Sequence, residues 1–385
     1  MEETSDDWIR LTDPDISAGE MHAVLTALRT SRISMGPEVE KFEAAFAEYV
    51  GRTYAVAVAS GTAGLLVALR ALGIGPGDEV IASPYSWHQI AHAIVLCGAT
   101  PVFAEMDYWS GTLLADKVAV KITAHTKAIM AGNTNGHPAQ WQALRELAAA
   151  RNVTLIEDST EAIGSVYQGR MVGSFGDLSI FDFSQPLALA CGEGGMILTD
   201  DPALYSELRY LRSHSLDDRL SVSVGSRVPW QANMSDLAAA LGLAQLERID
   251  EILAKRKQVE SYYLNHIQSF EGIKPPYLGP DVDEVHWFLY IVHLGTRFSR
   301  SSRNQIIEDM EQEKIEVAAY CNPIHLQYFY TQLGYARGNF FVTEKISDRS
   351  LALPFHGGLS DDEVEFIVAT AKDSSINVGA GAAIY

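Results

Sequence analysis

Residues 153–199 read VTLIEDSTEAIGSVYQGRMVGSFGDLSIFDFSQPLALACGEGGMILT. Three short apolar runs stand out in this stretch, Val153–Glu157, Leu178–Phe183 and Gly195–Thr199. Each has the length and composition expected of a strand buried on both faces. Asp158 follows the first run, and Gly192-Glu193-Gly194-Gly195 opens the last. Such a glycine-dense turn signals positive φ or close backbone approach. Working outward, further strands are expected at Tyr54–Val58, Glu79–Ala82, Thr100–Ala104 and Lys127–Met130. Helical periodicity falls between most of them, at Pro37–Val50, Ala63–Leu72, His88–Cys97 and Ala139–Arg151. Alternation of this kind predicts an α/β protein with a mostly parallel sheet covered on both faces. An earlier helix is expected to start at Ser17, with Glu20 three residues on completing a capping box.

Downstream the character changes. One long helical pattern runs from about Ser235 to Gln268, with Leu237, Leu241, Ala244, Ile249 and Leu253 on one face. After Pro275-Pro276 come strand-like His286–Leu294, helix-like Ser301–Glu313, a short strand at Ile315–Ala318 and a final helix from Ser360 to Ala371. This predicts a large α/β domain over residues 1–250 and a small α+β domain over 251–385. The tail after Asp373 is expected to be loose.

With 385 residues, 47% hydrophobic and 20% charged, the chain can bury a core in each domain. That composition excludes collagen-like, coiled-coil and largely disordered classes. The longest apolar stretch, around Ile90 to Val102, is broken by His92, Gly98 and Pro101 and is too short to span a bilayer. The opening MEETSDDWIR is acidic where a secretory signal would be basic and then apolar, so a cytoplasmic protein is expected. Cys97, Cys191 and Cys321 lie far apart, without metal-ligand spacing, which fits a reducing compartment and no metal site. Against 49 acidic residues stand 29 basic ones, a net charge of −20. The dense basic group Lys255-Arg256-Lys257 sits within an amphipathic helix and reads as a solvated face, so neither nucleic acid nor membrane is an expected partner.

Four features suggest a site at the strand ends. Ser60-Gly61-Thr62, between a strand and a helix, offers exposed amides beside hydroxyls, an arrangement that suits an anion, though an N-cap accounts for it equally. Asp158 lies where open α/β sheets bind ligands, or it caps the next helix. Trp87, in Pro84-Tyr85-Ser86-Trp87-His88, opens a helix at another strand end, or fills core. The glycine turn is the fourth. In this order and spacing they resemble the DegT/StrS-type sugar aminotransferases, pyridoxal phosphate (PLP)-dependent proteins of fold type I in the aspartate aminotransferase superfamily. The resemblance runs from about Ile33 to Ala371 through GPEVEKFEAAFAEYVG, AVASGTAGL, GPGDEVIASPYSW, GATPVFAEMD, TLIEDSTEAIGSVYQGRMVGSFGDLSIFDF, GEGGMILTDD, MSDLAAALGLAQLERID and LALPF. It implies a seven-stranded, mainly parallel sheet and a homodimer with sites at the interface. It places Gly61 and Thr62 at the cofactor phosphate, Trp87 on the pyridine ring, Asp158 at the ring nitrogen and Glu161 near the phenolic oxygen. A carboxylate at that nitrogen keeps it protonated and the ring an electron sink. His325, in Tyr320-Cys321-Asn322-Pro323-Ile324-His325, matches a segment near the substrate sugar.

The chain departs from the family pattern in one place above all. Where relatives read F-S-F-x-x-x-K-x-x-x-x-G-E-G-G, this sequence reads FDFSQPLALACGEGG over residues 181–195. Leu187 takes the lysine's position, and the nearest lysines on either side are Lys127 and Lys255. An aliphatic side chain forms no Schiff base and moves no proton. The phosphate-binding serine is Asp182, which facing a phosphate at about 4 Å would cost roughly 4 kcal/mol per charge pair at an effective dielectric near 20. Gln231 and Asn233 replace an asparagine and an arginine that reach the neighbouring subunit. Asn133-Thr134-Asn135-Gly136-His137-Pro138-Ala139 departs from H-L-Y-G-x-P-A.

Two readings follow. One is an enzyme of sugar, cyclitol or natural-product biosynthesis with a remodelled, degenerate PLP site, catalysing something other than ordinary transamination. Asp158, Glu161, Asp182, His88, His214 and His325 are its candidate acid–base groups. The other is a lysine-less partner subunit of an active homologous aminotransferase. Either way no cofactor is bound covalently, and PLP or pyridoxamine phosphate (PMP) binds non-covalently at most, in an aminotransferase or dehydratase role.

Overall fold

The computed structural model describes residues 7–184, 187–213, 228–267 and 273–382. Its largest sheet is built from Tyr54–Val58 (β1), Glu79–Ala82 (β2), Thr100–Phe103 (β3), Thr126–Gly132 (β4), Thr154–Asp158 (β5), Leu178–Asp182 (β6) and Gly195–Thr199 (β7). The strands lie in the order β1-β7-β6-β5-β4-β2-β3. Neighbours from β3 to β6 run parallel, and β7 is antiparallel to both β6 and β1. The glycine turn makes that reversal possible. Gly192 has φ +81°, and a Cβ on Gly195 would lie 2.8 Å from the Gly61 nitrogen and 2.9 Å from the Phe181 carbonyl oxygen.

Both faces of the sheet are covered, which is why its strands read as continuous apolar runs. On one face Val56, Val80, Met130, Ile156 and Ile180 pack with Leu65 and Leu69 of helix Gly61–Ala71, and with Ile90 and Ile94 of helix Gln89–Leu96. On the other, Phe181, Phe183 and Leu198 meet Phe42 and Phe46 of helix Pro37–Val50, while Ile129 and Leu155 meet Trp141 and Leu144 of helix Trp141–Arg151. Successive residues of β6 divide between the faces, as strand alternation requires.

A second, antiparallel sheet joins Ile273–Lys274, Tyr290–Leu294, Ser350–Leu353 and Ala318–Ala319. One face, with Tyr290, Val292 and Leu351, packs against helices Ile249–Ile267, Arg300–Gln312 and Asp361–Ala382. The opposite face, with Ile291 and Ala352, meets Tyr85, Met106, Leu187 and Tyr320. This apolar seam roofs the strand ends of the first sheet.

The capping box at Ser17 forms as expected, opening helix Ala18–Ala27. Three expectations are corrected. The long helix divides into Asp236–Glu247 and Ile249–Ile267 at Arg248, whose guanidinium binds Asp15, Glu20 and Glu251. The strand expected at Ile315–Ala318 is Ala318–Ala319. The tail is helical as far as Ala382, held where the Lys372 ammonium donates to the His266 carbonyl at 2.7 Å. Among the described residues, no helix is long and apolar enough to cross a membrane, and no group of His, Cys, Asp and Glu is arranged to hold a metal ion.

Candidate functional site

The C-terminal ends of β5 and β6 present three carboxyl groups under the apolar seam. Asp158, the last residue of β5, is buried and accepts the Thr160 N–H at 3.0 Å. The Thr160 hydroxyl oxygen in turn accepts from the Gln89 amide at 3.2 Å. Burial pushes the Asp158 carboxyl up to about 6, against the bonds from Thr160 and Gln89, and the charge of Asp182 adds to the push.

Glu161 lies three residues on, in the loop after β5. Its Oε2 accepts the Asn135 N–H at 2.5 Å and the Tyr320 hydroxyl at 2.6 Å. Its Oε1 is buried and has no hydrogen-bond partner. Burial pushes this carboxyl up to about 7, opposed by those two donors and aided by Asp158. The donors are themselves fixed. Asn135 has φ +52° and accepts the Leu289 N–H at its Oδ1, 3.0 Å away. The Tyr320 carbonyl accepts the Tyr85 hydroxyl at 3.1 Å, and the two rings meet edge to face with centroids 5.6 Å apart. A cleft lined by Tyr85, Tyr108, Trp109, Asn135, Tyr277 and Tyr320 opens beside them. A carboxyl group poised near neutrality, with one oxygen anchored and one free, can donate or accept a proton.

The end of β6 is built differently. Asp182 is buried, and its Oδ2 accepts the Gly61 N–H at 2.8 Å while its Oδ1 accepts the Ser184 N–H at 2.7 Å. Gly61 is the first residue of helix Gly61–Ala71, whose N-cap Ser60 accepts the Ala63 N–H at 3.2 Å. Thr62 follows, half-buried. A Cβ on Gly61 would stand 2.5 Å from Asp182 Oδ2, so the carboxylate rests directly on the helix start. Leu187 is 9% exposed and packs among Tyr85, Met106, Phe288, Leu289 and Tyr320.

The remaining sequence candidates make other contacts. Trp87 is 40% exposed and stacks on His88 at 5.3 Å, with Phe288 edge-on at 6.3 Å. His88 precedes helix Gln89–Leu96 with its ring 4.9 Å from that of His92, and burial lowers its pKa. His325 is fully buried, with Nε2 3.1 Å from Glu344 Oε1 and its ring against Phe340. Its Nδ1 is buried without a hydrogen-bond partner. Asn233 donates to the Ser213 hydroxyl at 3.1 Å, and Gln231 is exposed. His214 lies outside the described residues.

Several residues of the site were not singled out by sequence reasoning. Asn135 and Tyr320 hold Glu161, and Tyr85 holds Tyr320, from three separate segments. Glu157, fully buried, accepts from the Gly173, Phe175 and Gly176 amides and from Asn133 and Ser159. Asn133 also accepts from Ala139 N–H and the Trp141 indole. The sequence signals were position and departure: Tyr85 and Tyr320 lie in segments quoted for Trp87 and His325, and Asn133 and Asn135 in the segment that departs from H-L-Y-G-x-P-A.

These residues do not fit a covalently held, phosphate-bearing cofactor. Leu187, where the family resemblance puts the protein's amine, is an aliphatic side chain in an apolar cluster, and the Gly61 amide at the head of the helix already donates to a carboxylate.

Residues 14–372 match the DegT/DnrJ/EryC1/StrS aminotransferase family. The chain is 34% identical over 373 residues to the spore coat polysaccharide biosynthesis protein SpsC of Bacillus subtilis, covering 94% of this chain and 95% of that protein. It is 35% identical over 363 residues to the GDP-perosamine synthase of Caulobacter vibrioides, covering 94% and 96%. The putative sugar aminotransferase Spr1654 from Streptococcus pneumoniae, in its PLP form, superposes with a TM-score of 0.90 at 28% identity, covering 96% of this chain and 99% of that one. The aminotransferase TlmJ from Streptoalloteichus hindustanus superposes with a TM-score of 0.89 at 29% identity, covering 96% and 99%.

Proposed function

Since the chain belongs to the DegT/DnrJ/EryC1/StrS aminotransferase family, we propose that it serves the biosynthesis of a sugar, cyclitol or related natural product without performing ordinary PLP-dependent transamination. Leu187, packed where an amine would have to stand, carries this reading. The names of relatives such as the GDP-perosamine synthase support the sugar class. Glu161 is the group best suited to proton transfer, because its free Oε1 has no protein partner to compete with a substrate hydroxyl or carbonyl. Burial keeps its proton affinity high, and the neighbouring Asp158 adds to the effect.

The same reading makes the protein a cytoplasmic homodimer. Met21, Leu25 and Leu28 of helix Ala18–Ala27 and its flank are exposed, and an open groove runs along Val24, Met234, Leu237 and Leu241. Those surfaces also support the second reading, a subunit that completes the site of an active homologue. Within either, residues 1–250 form the unit that carries the carboxyl groups, and 251–385 the unit that covers them; the helix break at Arg248 supports a junction there.

The test is absorbance of the purified protein, borohydride reduction and mass spectrometry. The expected protein is colourless and yields no pyridoxyl-lysine. A pyridoxyl-lysine adduct, or amino transfer to a keto-sugar by the protein alone, overturns the reading. Co-purification with a neighbouring aminotransferase, with activity restored only in the pair, selects the second one.

A further inference from the structure

The free amides at a helix N-terminus form an anion site that an incoming phosphate ordinarily fills. Here the chain supplies its own anion to the first of them. Asp182 spends one oxygen on the Gly61 amide at the head of the helix and the other on the Ser184 amide. The fit is close: the position a Cβ would take on Gly61 lies 2.5 Å from Oδ2 and 2.7 Å from the Asp182 Cβ. The carboxylate has little room to withdraw. Asp182 is paired in register with Gly195, and a Cβ on Gly195 would itself meet the Gly61 nitrogen at 2.8 Å.

We propose that Asp182 is a tethered anion standing in for a ligand phosphate, so that the strand-end site beside Gly61 admits ligands bearing no phosphate at this end and rejects phosphorylated ones. Two physical effects act together. A carboxylate already held beside the amides has a high effective concentration that a free anion cannot match. A phosphate entering beside it meets like charge in a desolvated setting, where repulsion is weakly screened. The charge is felt at the neighbouring strand end too, since Asp182 is one of the groups that raise Asp158. The inference concerns the anion site alone and stands apart from the absence of an amine at Leu187: a variant given an amine there would meet the same barrier.

The experiment compares the full-length wild-type protein with Asp182→Ser by thermal melting and calorimetric titration, using inorganic phosphate, pyridoxal 5′-phosphate and unphosphorylated pyridoxal, at matched ionic strength. Millimolar phosphate is expected to raise the melting temperature of Asp182→Ser and not that of wild type. Pyridoxal 5′-phosphate is expected to bind the variant at least tenfold more tightly than wild type, and pyridoxal less than twofold. Wild-type preference for the phosphorylated form, or a cooperatively folded Asp182→Ser without any phosphate response, overturns the proposal. Should Asp182→Ser fail to fold, Asp182→Asn carries the same test, since it removes the charge and keeps an acceptor for Gly61. An Asn variant as indifferent to phosphate as wild type also overturns it.

Discussion

The two walls of the site solve the same problem in opposite ways. At the end of β5, Glu161 is buried with one oxygen satisfied and one left without a partner, an arrangement that costs stability unless something else binds there. At the end of β6, both Asp182 oxygens are satisfied by backbone amides and Leu187 is enclosed by apolar side chains. The first wall holds unspent hydrogen-bonding capacity; at the second, each Asp182 oxygen already accepts a backbone amide. An unsatisfied buried carboxyl is evidence of a ligand in a way that a satisfied one is not. On the proposed reading the β5 wall is the part that would meet a substrate, and the β6 wall the part that would limit what enters.

The largest effect expected from breaking that contrast comes from restoring both lost features of the β6 wall. Leu187→Lys alone places an amine among Tyr85, Phe288 and Tyr320, while Asp182 still occupies the amides. Its ammonium can also pair with that carboxylate and stay protonated. Leu187→Lys is thus expected to bind PLP poorly, and Leu187→Lys with Asp182→Ser to bind better by up to about three decades, the equivalent of roughly 4 kcal/mol. Cofactor titration followed by imine absorbance, on both singles and the double, measures the coupling. Tight imine formation by Leu187→Lys alone would show that Asp182 does not guard the anion site.

Next in size is the pH response of the β5 wall. Glu161 has a folded pKa of about 7 against an ordinary 4.5. The native state thus holds a proton that the unfolded chain releases. Its contribution to stability is full below about pH 4.5 and is lost as pH rises through 7, a total of about 3 kcal/mol. Glu161→Gln removes that slope. Urea unfolding at pH 5 and pH 8 is expected to show the wild type losing more stability than the variant over this interval. Parallel profiles would place the titration elsewhere. Truncation of the β6 wall comes next: Leu187→Ala leaves a cavity under the second sheet and is expected to cost about 2–3 kcal/mol, read from the urea midpoint. A change below about 0.5 kcal/mol would mean the seam is not closed there.

How much of this was legible in the sequence depends on the range of the interactions involved. The seven strands were legible because each is apolar on both faces, and the glycine turn because only glycine fits between Phe181 and Gly61. The break at Arg248 was not, because it answers to Asp15 and Glu20, more than two hundred residues away. The helical tail depends on packing against helix Ile249–Ile267 through Lys372 and His266, and its small-residue composition hid that. Asp158 could be found at a strand end by its place in the fold. The donors to Glu161 could not, since Asn135 and Tyr320 converge only after both sheets are assembled. The contact of Asp182 with Gly61 was not legible either, since it needs the register of β6 on β7.

The smallest expected effect tests whether the open wall can still stack a ring. Trp87 is 40% exposed, with one face on His88 and an edge contact to Phe288. Because so much of the indole is already in water, Trp87→Ala is expected to change unfolding stability by about 1 kcal/mol or less. Stacking of a flat ligand on the remaining face is worth a similar amount, on the order of 1 kcal/mol, or roughly fivefold in affinity. The two can be separated by adding Trp87→Ala to Asp182→Ser and titrating pyridoxal 5′-phosphate. A several-fold loss of affinity with an unchanged urea midpoint assigns the indole to the ligand side of the pocket. Equal affinities in the two backgrounds would show instead that Trp87 serves only to shield His88 and Phe288, and that a ligand bound over the β5 wall lies away from it.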